Sequence, residues 1–252
     1  MLRSIDIKNF RNLKEFRISS LGKVNLITGK NNTGKSTLLE AIAIYATKGD
    51  FVFIYQLLGD RGESFRQLET NKNPTQVNIK ALSSMFTDRI VEFGKIDAIS
   101  IGIIENTLFG EEQSTEKLLT LRFVKYFEEI QKDSQGTSSR RRIIQEDEAD
   151  KQLVNYKVGF EIKTGSNSFL IPLDEDRPYR FGFKGIFSNE NVQFIRTRNI
   201  DRDINGRLWD NITLTEKEIN VIEALRIIEP NTERIAFIEE SNRERNAVIK
   251  LS

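Results

Sequence analysis

Neither cysteine nor histidine occurs anywhere in this 252-residue chain. The first absence excludes disulfides and thiolate metal sites, and makes a cytoplasmic location the expectation. The second excludes histidine acid–base catalysis, Ser-His-Asp triads and histidine-ligated zinc. Long apolar runs are missing too. None approaches the roughly 20 residues needed to span a bilayer, so no membrane association is expected. Met1-Leu2-Arg3-Ser4-Ile5-Asp6 alternates like a strand and does not read as a signal peptide. Neither sign of charge dominates: 38 Lys+Arg against 37 Asp+Glu leave a net charge of +1 and no global pull toward nucleic acid. With 38% hydrophobic and 30% charged residues, the chain reads as one large globular domain or two small ones. Any chemistry has to come from carboxylates, lysine, arginine, hydroxyls and Mg2+.

What is present is a phosphate loop. Gly29-Lys30-Asn31-Asn32-Thr33-Gly34-Lys35-Ser36 fits G-x-x-x-x-G-K-[ST]. Glycines let the backbone wrap tightly enough for its N–H groups to converge on an anion. Lys35 brings a positive charge to the β- and γ-phosphates, and the Ser36 hydroxyl is placed to hold Mg2+. The helix that starts here adds its positive end. The context suits the motif: Val24–Thr28 reads as a buried strand entering the loop. The stretch 37–45 reads as a helix leaving it, with Leu38, Ala41, Ile42 and Tyr45 on one face.

Along the rest of the chain, alternation predicts strands over 2–10 and 14–20, paired antiparallel around a turn at 11–13. A short apolar helix is expected over 50–58, then a polar loop over 59–75. The stretch 77–86 reads equally as helix or strand. Strands are expected over 96–104 and 118–127. The polar stretch 128–151, with Arg140-Arg141-Arg142 beside Glu146-Asp147-Glu148, reads as a mobile surface loop. Segments 153–163 and 168–173, around Thr164-Gly165-Ser166-Asn167, form the clearest hairpin. A short strand is expected at 192–196, followed by a basic cluster of Arg196, Arg198 and Arg202. A helix opens with a capping box, Thr215 as N-cap and Glu218 reaching back, and Pro230 stops it. Strands 234–239 and 246–251 close the chain.

The opening Ile7-Lys8-Asn9-Phe10-Arg11-Asn12, followed by Val24 through Thr37, resembles the N-terminal half of the ABC-type ATPase head shared by SMC, RecF and OLD-family proteins. Asn31-Asn32 is most similar to OLD-like AAA ATPases of bacterial anti-phage systems. The tail from Val192 through Glu223-Ala224-Leu225-Arg226 to Ile238 resembles them as well. The resemblance implies an α/β P-loop NTPase lobe with a mixed core sheet and an antiparallel β-subdomain. It would divide 1–252 into a nucleotide-binding core and β-subdomain (1–50 and 190–252) and a variable insertion (51–189). It further implies ATP and Mg2+ as ligands, bound by Gly29, Asn31, Asn32, Thr33, Gly34, Lys35, Ser36 and Thr37. Arg11 would contact the nucleotide, Gln193 would sense Mg2+ beside Ser36, and Lys35 would be the catalytic cation.

The same resemblance implies a second half: a signature loop, a strand ending in Asp-Glu, and a switch histidine. None is found in the sequence. The nearest match to the strand is Ile235-Ala236-Phe237-Ile238-Glu239-Glu240, where Glu239 is one methylene too long to replace Asp. The chain therefore reads as the ATP-binding portion of a longer or split ATPase, expected to turn over little ATP alone. Implied partners are a second head in a homodimer or higher oligomer, a nuclease or other effector, and DNA. The competing reading is a nucleotide-binding regulator that never hydrolyses and acts through protein contacts. A small P-loop kinase ranks last, because the segment after the loop helix is apolar rather than an acceptor site.

Overall fold

A computed structural model describes residues 2–63, 73–91, 98–107, 110–113, 117–133, 136–144, 155–174, 192–195, 202–239 and 245–252. The chain divides into two compact units, Met1–Gln193 and Phe194–Ser252.

The first unit is built on an antiparallel sheet. Strands β1 (Ile5–Phe10) and β2 (Leu13–Ile18) form a hairpin that pairs Ile5 with Ile18 and Ile7 with Phe16. Strand β3 (Ile99–Gly102) pairs on the other side of β1, and a separate ribbon of β4 (Ile104–Thr107) and β5 (Gly110–Gln113) follows. The sheet continues through β6 (Leu119–Asp133), β8 (Lys157–Thr164) and β9 (Asn167–Pro172), in the order β2-β1-β3-β6-β8-β9. Strand β7 (Gly136–Ile143) pairs with the outer half of β6, from Tyr126 to Asp133. Every pairing is antiparallel. Strands from 1–50 and from 51–189 thus share one sheet.

Helices α1 (Lys35–Ala46), α2 (Phe51–Asp60) and α3 (Pro74–Ser83) supply the other half of the core. Ile5, Ile7, Ile99, Ile101, Leu121 and Phe160 of the sheet are fully buried, as are Ile44, Ile54, Leu58 and Leu82 of the helices. Each such side chain contributes about 1.5–3 kcal/mol by leaving water. Phe51 meets Phe160 with ring centroids 6.4 Å apart, and Phe160 meets Phe123 edge-on at 5.3 Å. The α1–α2 turn requires Gly49. Its φ is +73, and a Cβ there would lie 2.7 Å from Ile162 Cγ2. Asp50 caps α2 by accepting from the N–H groups of Val52 and Phe53.

The fold is α/β, as expected, with these differences. The undecided stretch 77–86 is largely helix: α3 starts on Pro74, at a position where its missing N–H costs nothing, with Asn73 as cap. Of the stretch 128–151, expected as a loop, 128–133 are the outer part of β6 and 136–143 are β7, while 134–135 and 145–151 lie outside the described residues. The arginine run reaches the preceding strand, and 146–148 lie outside the described residues. Arg141 lies 3.5 Å from Glu128 and Arg142 lies 3.6 Å from Glu129. Val24–Thr28 forms no strand and has no ladder partner. Two of its apolar side chains stand in solvent, Val24 at 92% exposure and Leu26 at 88%, and Ile27 is half-buried. Apolar alternation favours a strand, but only a neighbouring strand can satisfy its backbone, and none is present among the described residues. Residues 192–195 are likewise irregular.

In the second unit, α4 (Arg202–Asp210) and α5 (Glu216–Arg226) accompany a ribbon of β10 (Thr232–Glu239) and β11 (Arg245–Leu251). Trp209 packs against Phe237 at 5.9 Å, and Arg245 grips Asp210 through two bonds of 2.5 and 2.9 Å. Thr215 caps α5, as its capping box predicts, accepting from the Lys217 N–H. Glu218 reaches one residue further than expected, accepting from the Leu214 N–H at 2.7 Å.

Candidate nucleotide-binding site

The loop Gly29–Ser36 leads straight into α1, whose first residue is Lys35. Gly34 caps the helix with φ 95 and offers no side chain, so the first-turn N–H groups lack a side-chain acceptor. That is the electrostatic setting in which an anion is favoured. The Lys35 ammonium folds back over the loop and donates to the carbonyls of Gly29 and Lys30 at 2.7 and 2.6 Å. Thr33 closes the turn by donating to the Lys30 carbonyl at 2.8 Å, and Asn32 sits at φ 63. Asn31, Asn32, Thr33 and Ser36 are exposed, whereas Thr37 is buried under the helix.

The β1–β2 tip lies against this loop. A Cβ on Gly34 would come within 2.8 Å of Asn12 Nδ2. Each of the four residues Asn9 to Asn12 has a separate task. Asn9 accepts from the Thr87 N–H at 3.2 Å, and Phe10 is buried and bridges to Phe86. Arg11, at φ 52, donates its backbone N–H to the Met85 carbonyl at 2.8 Å. Its side chain is 9% exposed. Nε lies 3.3 Å from Glu40 Oε2 and Nη1 lies 2.9 Å from Glu63 Oε2. Glu40 also holds Arg61 at 2.7 Å, and Glu63 holds Arg89 at 3.2 Å. Three guanidinium groups thus share two carboxylates beside α1.

The structure brings Gly29, Asn31, Asn32, Thr33, Gly34, Lys35, Ser36 and Thr37 together in one loop and helix start. Arg11 stands next to that helix but points its charge at Glu40 and Glu63. Gln193 is exposed on an irregular segment and not on the strand expected for it. Ile235 to Glu239 lie on β10, a strand of the two-stranded ribbon of the second unit, and Glu240 lies outside the described residues. Arg196 and Arg198 also lie outside them. Sequence reading missed Asn12 and Glu40. Glu40 carries a visible signal: a carboxylate on the buried face of a helix demands a cation.

A family model for the AAA ATPase domain matches residues 1–218. The chain belongs to the AAA ATPase domain family. Membership implies nucleotide binding, usually with Mg2+. An uncharacterized protein of Methanocaldococcus jannaschii is 46% identical over 56 residues, covering 21% of this chain and 26% of its own. The ATP/GTP phosphatase of Helicobacter pylori is 55% identical over 42 residues, 17% of this chain and 11% of its own. The DNA replication and repair protein RecF of Caldanaerobacter subterraneus is 31% identical over 146 residues, 57% of this chain and 37% of its own. The matches therefore span well under half the length of these relatives. No solved structure matches the chain significantly. Among the described residues of this AAA ATPase domain, no helix is long and apolar enough to cross a membrane.

Proposed function

We propose that Gly29–Thr37 binds ATP with Mg2+, and that this chain is the ATP-binding portion of a larger ABC-type, OLD-like ATPase. One observation carries the reading. The helix after the loop begins on a left-handed glycine with no side-chain cap, under a lysine that only backbone carbonyls hold. Phosphate oxygens would satisfy the first-turn N–H groups and take over the ammonium from those carbonyls. Ser36 would share Mg2+ with phosphate oxygens. Mg2+ is usually divided in this way, and no cluster of three acidic side chains offers an alternative among the described residues.

Nucleotide binding and hydrolysis separate here. Phosphoryl transfer needs an oriented water and charge stabilisation around the γ-phosphate. Lys35 and Ser36 meet the second need in part. Among the described residues, none placed beside the loop meets the first. The exposed Val24 and Leu26 fit a core sheet whose remaining strands come from elsewhere. We therefore assign hydrolysis to a form completed by a second half and by pairing of two heads. Gln193 would join the metal site only if 192–196 became a strand of that sheet. The relative named for DNA replication and repair supports a DNA-linked output, and the likeness of Asn31-Asn32 to OLD-like ATPases is what suggests an anti-phage effector. A non-hydrolysing regulator is the second reading, favoured by the same lack of a water-orienting residue.

Binding and turnover measured side by side test this. The chain should bind a fluorescent ATP analogue in the presence of Mg2+ and release little phosphate. Absence of binding would contradict the proposal.

A further inference from the structure

We propose that the β1–β2 tip, Arg11-Asn12, is a positioning element for the phosphate loop: Asn12 sets the backbone at Gly34 and Arg11 sets α1 through Glu40. Neither side chain needs to touch the nucleotide. This rests on the reading that Gly29–Thr37 binds nucleotide.

Two adjacent residues hold the loop and its helix at two points. Asn12 presents Nδ2, Oδ1 and Cγ within 2.8, 3.3 and 3.4 Å of where a Gly34 Cβ would be, so the carboxamide points its N/O end at the loop's last glycine. Arg11 Nε lies 3.3 Å from Glu40 Oε2 as an ion pair without a hydrogen bond, and Glu40 stands four residues beyond Ser36, on the same face of α1. Releasing Arg11 to a phosphate would strip one cation from each of two largely buried carboxylates. Its third contact, Nη1 to the Ser84 carbonyl at 3.3 Å, ties the tip to the end of α3. The backbone supports the same conclusion. A non-glycine residue at φ 52 persists only where its surroundings over-determine it, and here three elements do so.

The anchor transmits position because the tip itself is fixed. Asn9 and Phe10 tie it to Thr87 and Phe86, and Arg11 N–H ties it to Met85. Loosening either contact should let the loop amides sample open geometries, which weakens any ligand that needs them converged.

Hydrogen exchange of the nucleotide-free chain tests this directly, with the full chain as Asn12→Ala and as Arg11→Met. Amides of residues 38–40, the first that α1 bonds (Leu38 N–H donates to the Gly34 carbonyl at 2.9 Å), should exchange about tenfold faster in each, the change produced by ~1.4 kcal/mol of lost bracing. Protection of the β3 amides, read in the same spectra, should stay constant. If Arg11→Met lowers protection there too, Asn12→Ala decides alone. Unchanged exchange at 38–40 overturns the proposal whether or not the chain binds nucleotide. A double-mutant cycle of Arg11→Met with Glu40→Gln, read as affinity for a fluorescent ATP analogue with Mg2+, separates position from contact. Non-additive losses support positioning through Glu40. Additive losses show that Arg11 contacts the ligand itself and overturn its half of the proposal. If wild type fails to bind the analogue, the nucleotide reading falls, and the exchange result still decides the positioning one.

Discussion

Asn78 donates through Nδ2 to the carbonyl of Leu173 at 2.8 Å, across 95 residues of sequence, and both residues are buried. The bond fastens α3 to the end of the sheet where β9 finishes. Asn78→Ala leaves that carbonyl facing apolar surroundings. A loss of about 1–3 kcal/mol in chemical denaturation is expected, with an unchanged m-value.

Tyr126 is fully buried with no hydrogen-bond partner for its hydroxyl among the described residues. Burial pushes its pKa from 10.0 up to about 12. The Asp174 carboxylate adds to the rise, Lys157 and Arg141 oppose it, and Glu128 adds a little more. The folded state therefore favours the neutral phenol. Its contribution is fully present below pH 10 and is lost as pH rises through about 12. Tyr126→Phe should be as stable as wild type at neutral pH, within about 1 kcal/mol. It should also lose less stability between pH 10 and 12. A steeper alkaline loss in the variant would contradict this account of Tyr126.

Two glycines should respond in opposite directions to alanine. Gly34 has φ +95 and lies against Asn12, so Gly34→Ala should destabilise the loop and abolish nucleotide binding. Gly59 lies within α2, with nothing within 4 Å of where its Cβ would be. Gly59→Ala should stabilise by about 0.5–1 kcal/mol. Thermal melts of both variants and one titration of Gly34→Ala check the pair.

Much of the fold could be read from residues whose determinants are local. The helix at Lys35–Ala46 and the hairpin around Thr164–Asn167 follow from periodicity, capping and turn chemistry. Features that depend on distant partners could not. Val24–Thr28 has the apolar pattern of a strand, yet a strand exists only through its neighbours. Residues 128–133 and 136–143 looked like a loop because charges there meet across the ladder, Glu128 with Arg141, and that pairing is invisible in linear sequence. At the site, the loop motif was plain. The use made of Arg11 was not, because Glu40 and Glu63 lie 29 and 52 residues further along the chain, and nothing local joins the three.

Phosphate release from this chain alone should stay near background. Lys35 and Ser36 can clamp phosphates, but no described residue orients an attacking water. Glu240→Gln should leave that low rate unchanged. Robust turnover lost in Glu240→Gln would place the catalytic carboxylate at the end of β10 after all.

The central claim is that Gly29–Thr37 holds nucleotide phosphates, and titration of wild type against Lys35→Ala with a fluorescent ATP analogue and Mg2+ tests it most directly. Lys35 supplies the loop's ammonium, now resting on the carbonyls of Gly29 and Lys30. Charge-assisted bonds to phosphate are each worth about 1.5–3 kcal/mol, so affinity should fall at least tenfold. Equal affinity in the two proteins, with both folded by circular dichroism, would contradict the site.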